Sequence, residues 1–166
     1  MRSLLLFLTL PLFILDQVTK QWTVTRFKAP TDYEHDILTV IPGWLDLTRV
    51  HNTGIAFGMA NQAHGANWIF GGISLIAMLL IWWLWRTGAF PTRLSRVAVA
   101  LLISGIFGNL TDRIFRGYVV DFLSVNLQFM QWPVFNVADA AICVAAAFLF
   151  ISAFQKTPPA PQAAGA

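Results

Sequence analysis

The chain has 166 residues, 57% of them hydrophobic and only 11% charged, against roughly one quarter charged in a soluble domain. That balance excludes an ordinary soluble fold and points to a membrane protein. The net charge of +3 comes without a Lys/Arg run, which argues against nucleic acid as a partner, and a lone Cys143 can build neither an intramolecular disulfide nor a cysteine zinc site.

A helix needs roughly 20 residues to cross a hydrocarbon core. Four stretches reach that length, at about 3–22, 67–85, 96–114 and 135–154. The first starts after Arg2 with a Leu-rich run, as a secretory signal does, but leads into Asp16, Gln17 and Lys20 rather than a small-residue cleavage site. A retained span is therefore expected. Next comes a long polar segment, 23–66, in which Ile37 to Phe57 is rich in β-branched and aromatic residues around a Pro42-Gly43 turn. It predicts a small sheet or hairpin lying on the membrane. Arg86, Arg93 and Arg96 crowd the link between the second and third spans, while Arg2 and Lys156 mark the two ends. The positive-inside rule makes these places cytoplasmic. Segment 23–66 and the link 116–133 then face the periplasm. The tail 157–166 is rich in proline and alanine and is expected to be disordered. The expected fold is an all-α membrane protein, one domain over 1–156. It has four transmembrane helices, a small periplasmic interfacial β-sheet between helices 1 and 2, and both termini in the cytoplasm.

At about 1.5 Å per helical residue, Asp16 and Lys20 lie some 20 Å beyond Arg2, and Asn109, Asp112 and Arg113 about as far beyond Arg96. Asn136 and Asp139 open the inward helix at that same outer level. Three helices thus place their rare polar groups at one depth. Gly105, Asn109, Asp112 and Arg113 fall on one helix face, and Asn136, Asp139 and Cys143 on another. Gly105 and Gly108 permit close helix approach. Ionisable groups at membrane depth usually face the bundle interior and mark functional sites.

Peptide hydrolysis without a metal or a nucleophilic side chain needs a base for water and an acid for the carbonyl and leaving amine. Two aspartates sharing a proton supply both. His35, His51 and His64 lack metal-ligand spacing, and Cys143 reads as a packing residue. Four carboxylates could form the pair. Asp16 precedes Lys20 by one turn and Asp112 adjoins Arg113, so each is either an ion-pair member or a direct participant. Asp121 is either a loop acid or catalytic. Asp139 either completes a helix cap with Asn136 or is catalytic.

At these residues the chain resembles the lipoprotein signal peptidase (signal peptidase II) family. The resemblance runs from about Leu15 to Ala147 and rests on five blocks in the family's order: Asp16-Gln17-Val18-Thr19-Lys20, Asn52-Thr53-Gly54-Ile55-Ala56-Phe57, Gly108-Asn109-Leu110-Thr111-Asp112-Arg113, Val119-Val120-Asp121-Phe122 and Phe135-Asn136-Val137-Ala138-Asp139. It implies that Asp121 and Asp139 are the catalytic pair and that Asn52, Asn109, Arg113 and Asn136 line the site and bind substrate or orient the aspartates. Asp16, Lys20 and Asp112 match positions with an architectural role. The resemblance further implies a half-submerged external sheet and a periplasmic loop over the cleft. Its substrate would be a diacylglyceryl-modified prolipoprotein cut on the amino side of the lipidated cysteine. No metal or cofactor is implied; membrane lipid is the other expected partner, and a monomer the expected state. Ser104, Ile55 and Ala140 depart from the family's usual residues. Ala140 removes a hydroxyl beside Asp139, and Ile55 narrows the pocket.

Overall fold

The computed structural model describes residues 2–31, 36–54, 65–130 and 132–155. The tail 157–166, His35, His64 and Ile55 lie outside these residues. The first helical run comprises α1 (Arg2–Leu4), a π-helical turn (Leu5–Thr9) and α2 (Leu10–Arg26). Pro11 explains the wide turn: it has no N–H to donate and its ring crowds the preceding carbonyls, so the ladder loosens and Leu10 N–H bonds to Leu5 O. The helix runs past the expected end near Trp22 to Arg26.

α3 (Ala66–Arg86) and α4 (Arg93–Phe115) are both long and apolar enough to cross a membrane. Gly88, at φ +78°, takes the left-handed conformation that follows a helix end. Thr92 restarts the chain as the cap of α4, exchanging hydrogen bonds with Ser95. The last helix, α5 (Val137–Ala153), is shorter and apolar. The helix bounds fall within a few residues of the second, third and fourth expected stretches.

α4 is the central element, with one face buried at Gly105, Gly108, Asn109 and Asp112. A Cβ on Gly105 would overlap the Ala138 carbonyl, and one on Gly108 would press on the Asp16 carboxylate and Ala138. These two glycines therefore set how closely α2 and α5 approach α4. On α5 the buried stripe is Ala138, Ala141 and Ala145, small side chains that suit this close approach. Cys143 lies off that stripe and is exposed, one turn beyond the partly buried Asp139 on the same side of the helix, so it is not a buried packing residue among the described residues. Asn136 is the helix cap with extended backbone (φ −130°).

The external segment forms the expected hairpin, β1 (Ile37–Ile41) and β2 (Leu45–Asn52), turning at Gly43 with φ +76°. The sheet has a third strand, β3 (Val119–Val125), antiparallel to β2. The sheet is thus shared between the first external segment and the link after α4, rather than lying wholly between the first two helices. β3 is itself tied to the start of α5, because Leu123 and Phe135 exchange backbone hydrogen bonds of 2.8 and 3.1 Å.

Candidate active site

Two polar clusters occupy the place where α2, α4, β3 and the start of α5 meet. The first is ionic. Lys20 Nζ lies 2.9 Å from Asp16 Oδ2 and 3.2 Å from Asp112 Oδ2, and all three side chains are essentially inaccessible to solvent. Asp112 also pairs with Arg116, one turn along α4, rather than with the adjacent Arg113. Both carboxylates hold backbone as well: Asp16 Oδ1 accepts Ala138 N–H (2.9 Å) and Asp112 Oδ2 accepts Val120 N–H (3.0 Å). The cluster thus fixes the first turn of α5 and the start of β3 against α2 and α4. Arg116, which closes this cluster, escaped the sequence reading although its spacing from Asp112 is that of helical ion pairs.

The second cluster is built of amides and two carboxylates. Register places Val50 opposite Asp121 and Asn52 opposite Val119, so Asn52 Nδ2 donates to Asp121 Oδ2 at 2.9 Å. Asn136 Nδ2 donates to Asp121 Oδ1 at 2.7 Å and to Asn109 Oδ1 at 3.1 Å. Asn109 Nδ2 in turn donates to Asp139 Oδ1 at 2.7 Å. Lys20 Nζ donates to Asn109 Oδ1 at 2.9 Å, which orients that amide and joins the two clusters.

Asn136 and Asp139 also form a capping box. Asp139 N–H donates to Asn136 Oδ1 (2.9 Å), and Asn136 N–H donates to Asp139 Oδ2 (3.2 Å). The cap reading of Asp139 is therefore correct, and it leaves Oδ1 directed at Asn109. Asp121, 2% exposed, is pushed up to about 7 chiefly by burial and then by the charge of Asp139; the hydrogen bonds from Asn52 and Asn136 and the charge of Lys20 pull the other way. A buried carboxyl with an acidic neighbour retains its proton near neutral pH.

Arg113 is half-buried beside this cluster, its guanidinium 5.7 Å from the centroid of Phe70 on α3, and it interacts electrostatically with Asp139 and Asp121. Beyond Asn52, His51 accepts from Arg49 Nε (3.0 Å) and stacks on Tyr118. Burial and the Arg49 charge hold its pKa down at about 4. His51 is thus an acceptor that braces the sheet. All nine residues singled out in the sequence fall in these two clusters or beside them. Asp121, Asp139, Asn52, Asn109 and Asn136 share one network, Asp16, Lys20 and Asp112 form the other, and Arg113 flanks the first.

Residues 8–155 match the family model described as Signal peptidase (SPase) II. A lipoprotein signal peptidase of Pseudoalteromonas atlantica is 38% identical over 91% of this chain and 89% of its own. One of Yersinia enterocolitica is 37% identical over 92% and 89%. Two solved structures, both described as bacterial membrane enzymes, superpose with TM-scores of 0.78 and 0.79 at 30% and 29% identity, covering 90% and 92% of this chain and 86% and 94% of theirs. With a family match over most of its length and relatives of this similarity, the chain belongs to the signal peptidase II family.

Proposed function

We propose that this chain is an intramembrane aspartic endopeptidase that removes signal peptides from diacylglyceryl-modified prolipoproteins, cutting on the amino side of the lipidated cysteine, with Asp121 and Asp139 as its catalytic pair. The observation that carries this reading is the network joining those two carboxylates through Asn136 and Asn109. Asp121, with its raised pKa, is the partner that holds the proton and polarises the scissile carbonyl. Asp139 lies at a helix N-terminus, where backbone N–H groups favour a negative charge, and acts as the base that activates water. The proton then passes from Asp121 to the leaving amine as the carbon–nitrogen bond breaks. Asn52, Asn136 and Asn109 hold the two carboxylates in register, and Arg113 binds the substrate backbone.

The run from Arg2 to Arg26, α3, α4 and α5 are read as four spans of the bacterial inner membrane, with 1–156 as one domain and both termini in the cytoplasm. Arg86, Arg93 and Arg96 then face inward, and the sheet and the dyad lie at the periplasmic side, where the cleavage point of a membrane-spanning signal peptide emerges. In this arrangement the protein works as a monomer, with the lipidated precursor and surrounding lipid as its partners. The test is cleavage of a purified lipidated precursor by the full chain and by Asp121→Asn and Asp139→Asn. Wild type cuts and neither variant does; full turnover by either variant removes that residue from the chemistry.

A further inference from the structure

α3 faces outward along almost its whole length, with only Ala66 and Ile81 buried. Its first turn is different. Asn67 Nδ2 donates to Arg113 O (3.2 Å) in the last turn of α4, and Phe70 packs against the Arg113 guanidinium. The Phe70 ring also lies so close to Gly54 that a Cβ there would overlap it, and Gly54 has a positive φ of +129°. Gly54 N–H is held by Asn52 Oδ1 (2.8 Å), whose own Nδ2 reaches Asp121. A continuous set of contacts therefore joins the start of α3 to the catalytic pair.

Two polar atoms in this set are buried without a hydrogen-bond partner among the described residues: Arg113 Nε and Asn67 Oδ1. One is a donor and the other an acceptor. Buried polar groups are nearly always paired, so each orphan needs an explanation. A peptide unit offers the complement of both, one carbonyl oxygen and one N–H. A substrate segment stretched out for cleavage has given up its internal hydrogen bonds and presents such groups unpaired.

We propose that Asn67 is a substrate-binding residue, and that Asn67 Oδ1 and Arg113 Nε–H together hold backbone groups of the precursor beside the cleavage point. The inference rests on the peptidase reading above. Asn67 Oδ1 accepts a peptide N–H, Arg113 Nε–H donates to a peptide carbonyl, and the Asn67 Nδ2 bond to Arg113 O keeps the two side chains in register. Phe70, braced by Gly54, holds the guanidinium at the site. Because only backbone is read, this contact tolerates variation in the precursor's side chains.

The test uses the full-length protein and a lipidated precursor peptide. Loss of one buried hydrogen bond made equally in ground and transition states raises KM for Asn67→Ala by roughly tenfold and leaves kcat within about twofold. A second arm can overturn the proposal on the wild-type enzyme alone. Precursor analogues in which single peptide N–H groups near the cleavage point are replaced by ester oxygen are compared one position at a time on the wild-type enzyme. One analogue should show the same rise in KM on wild type and no further rise on Asn67→Ala. A folded Asn67→Ala enzyme with wild-type KM overturns the proposal, as does an ester series with no sensitive position. If wild type fails to cut the parent precursor, the peptidase reading itself falls; if it cuts normally while Asn67→Ala is indistinguishable, only this inference does.

Discussion

The two polar clusters lie side by side and share Asn109, yet they treat their carboxylates in opposite ways. Asp16 and Asp112 each meet a cation and a backbone N–H, so their charge is neutralised where it stands and is spent on joining helices. Asp121 and Asp139 are held by uncharged amides, which fix their position without neutralising their charge. Direct pairing with a cation would lock a carboxylate in its ionised form, whereas an amide scaffold leaves a proton free to move between two carboxylates. Neighbouring acids can therefore sit in unlike surroundings, set by their immediate partners.

That contrast can be broken by experiment. The largest expected effect is on rate: Asp121→Asn and Asp139→Asn should lose cleavage by at least about a thousandfold, the scale of general acid–base catalysis, while the melting temperature in detergent stays near that of wild type. Unfolding of Asp121→Asn would mean that this cluster too is mainly structural. Lys20→Met should behave the other way. It leaves buried Asp16 without a cation and Asp112 with Arg116 alone, and should destabilise the fold by about 3–5 kcal/mol, read as a large drop in the melting temperature. A stable Lys20→Met protein would show that the ionic cluster is dispensable.

A smaller effect sharpens the proton assignment. Because Asp121 is raised to about 7, it is protonated below that pH, and kcat/KM should fall about tenfold per pH unit above it. The sign for stability follows from linkage. Between the ordinary carboxyl value of 3.8 and about 7 the folded state binds the extra proton, so stability should decline as pH rises through that window and be insensitive above it. A flat rate profile between pH 6 and 9 would contradict this role of Asp121. The least effect belongs to Cys143→Ala. The side chain is exposed on α5, and both rate and stability should stay within about 0.5 kcal/mol of wild type; a lost activity would place the thiol in the chemistry after all.

Much of the site was legible in the residues because a membrane makes polar groups rare. Helical rise and the charge-based orientation suggested that Asp16, Lys20, Asn109, Asp112, Asn136 and Asp139 belong together, and the structure brings them into contact. The third strand was not legible. Val119–Val125 is a short run with Gly117 before it, and its partner β2 lies far back in the chain, so no local pattern announces the pairing. That Cys143 is exposed was not legible, since an apolar helix gives no sign of which side meets its neighbours. Asn67 could not be recognised from spacing, since its bond to α4 depends on how the two helices cross.

The cap at the start of α5 has a mechanical consequence. One oxygen of Asp139 is committed to the Asn136 backbone N–H and the other accepts from the Asn109 side chain, so the carboxylate cannot swing freely. Any proton that lands on the committed oxygen weakens the first loop of hydrogen bonding in that helix. The position of this carboxylate is thereby tied to the geometry of the first turn of α5, and a change at Asn136 would disturb both at once.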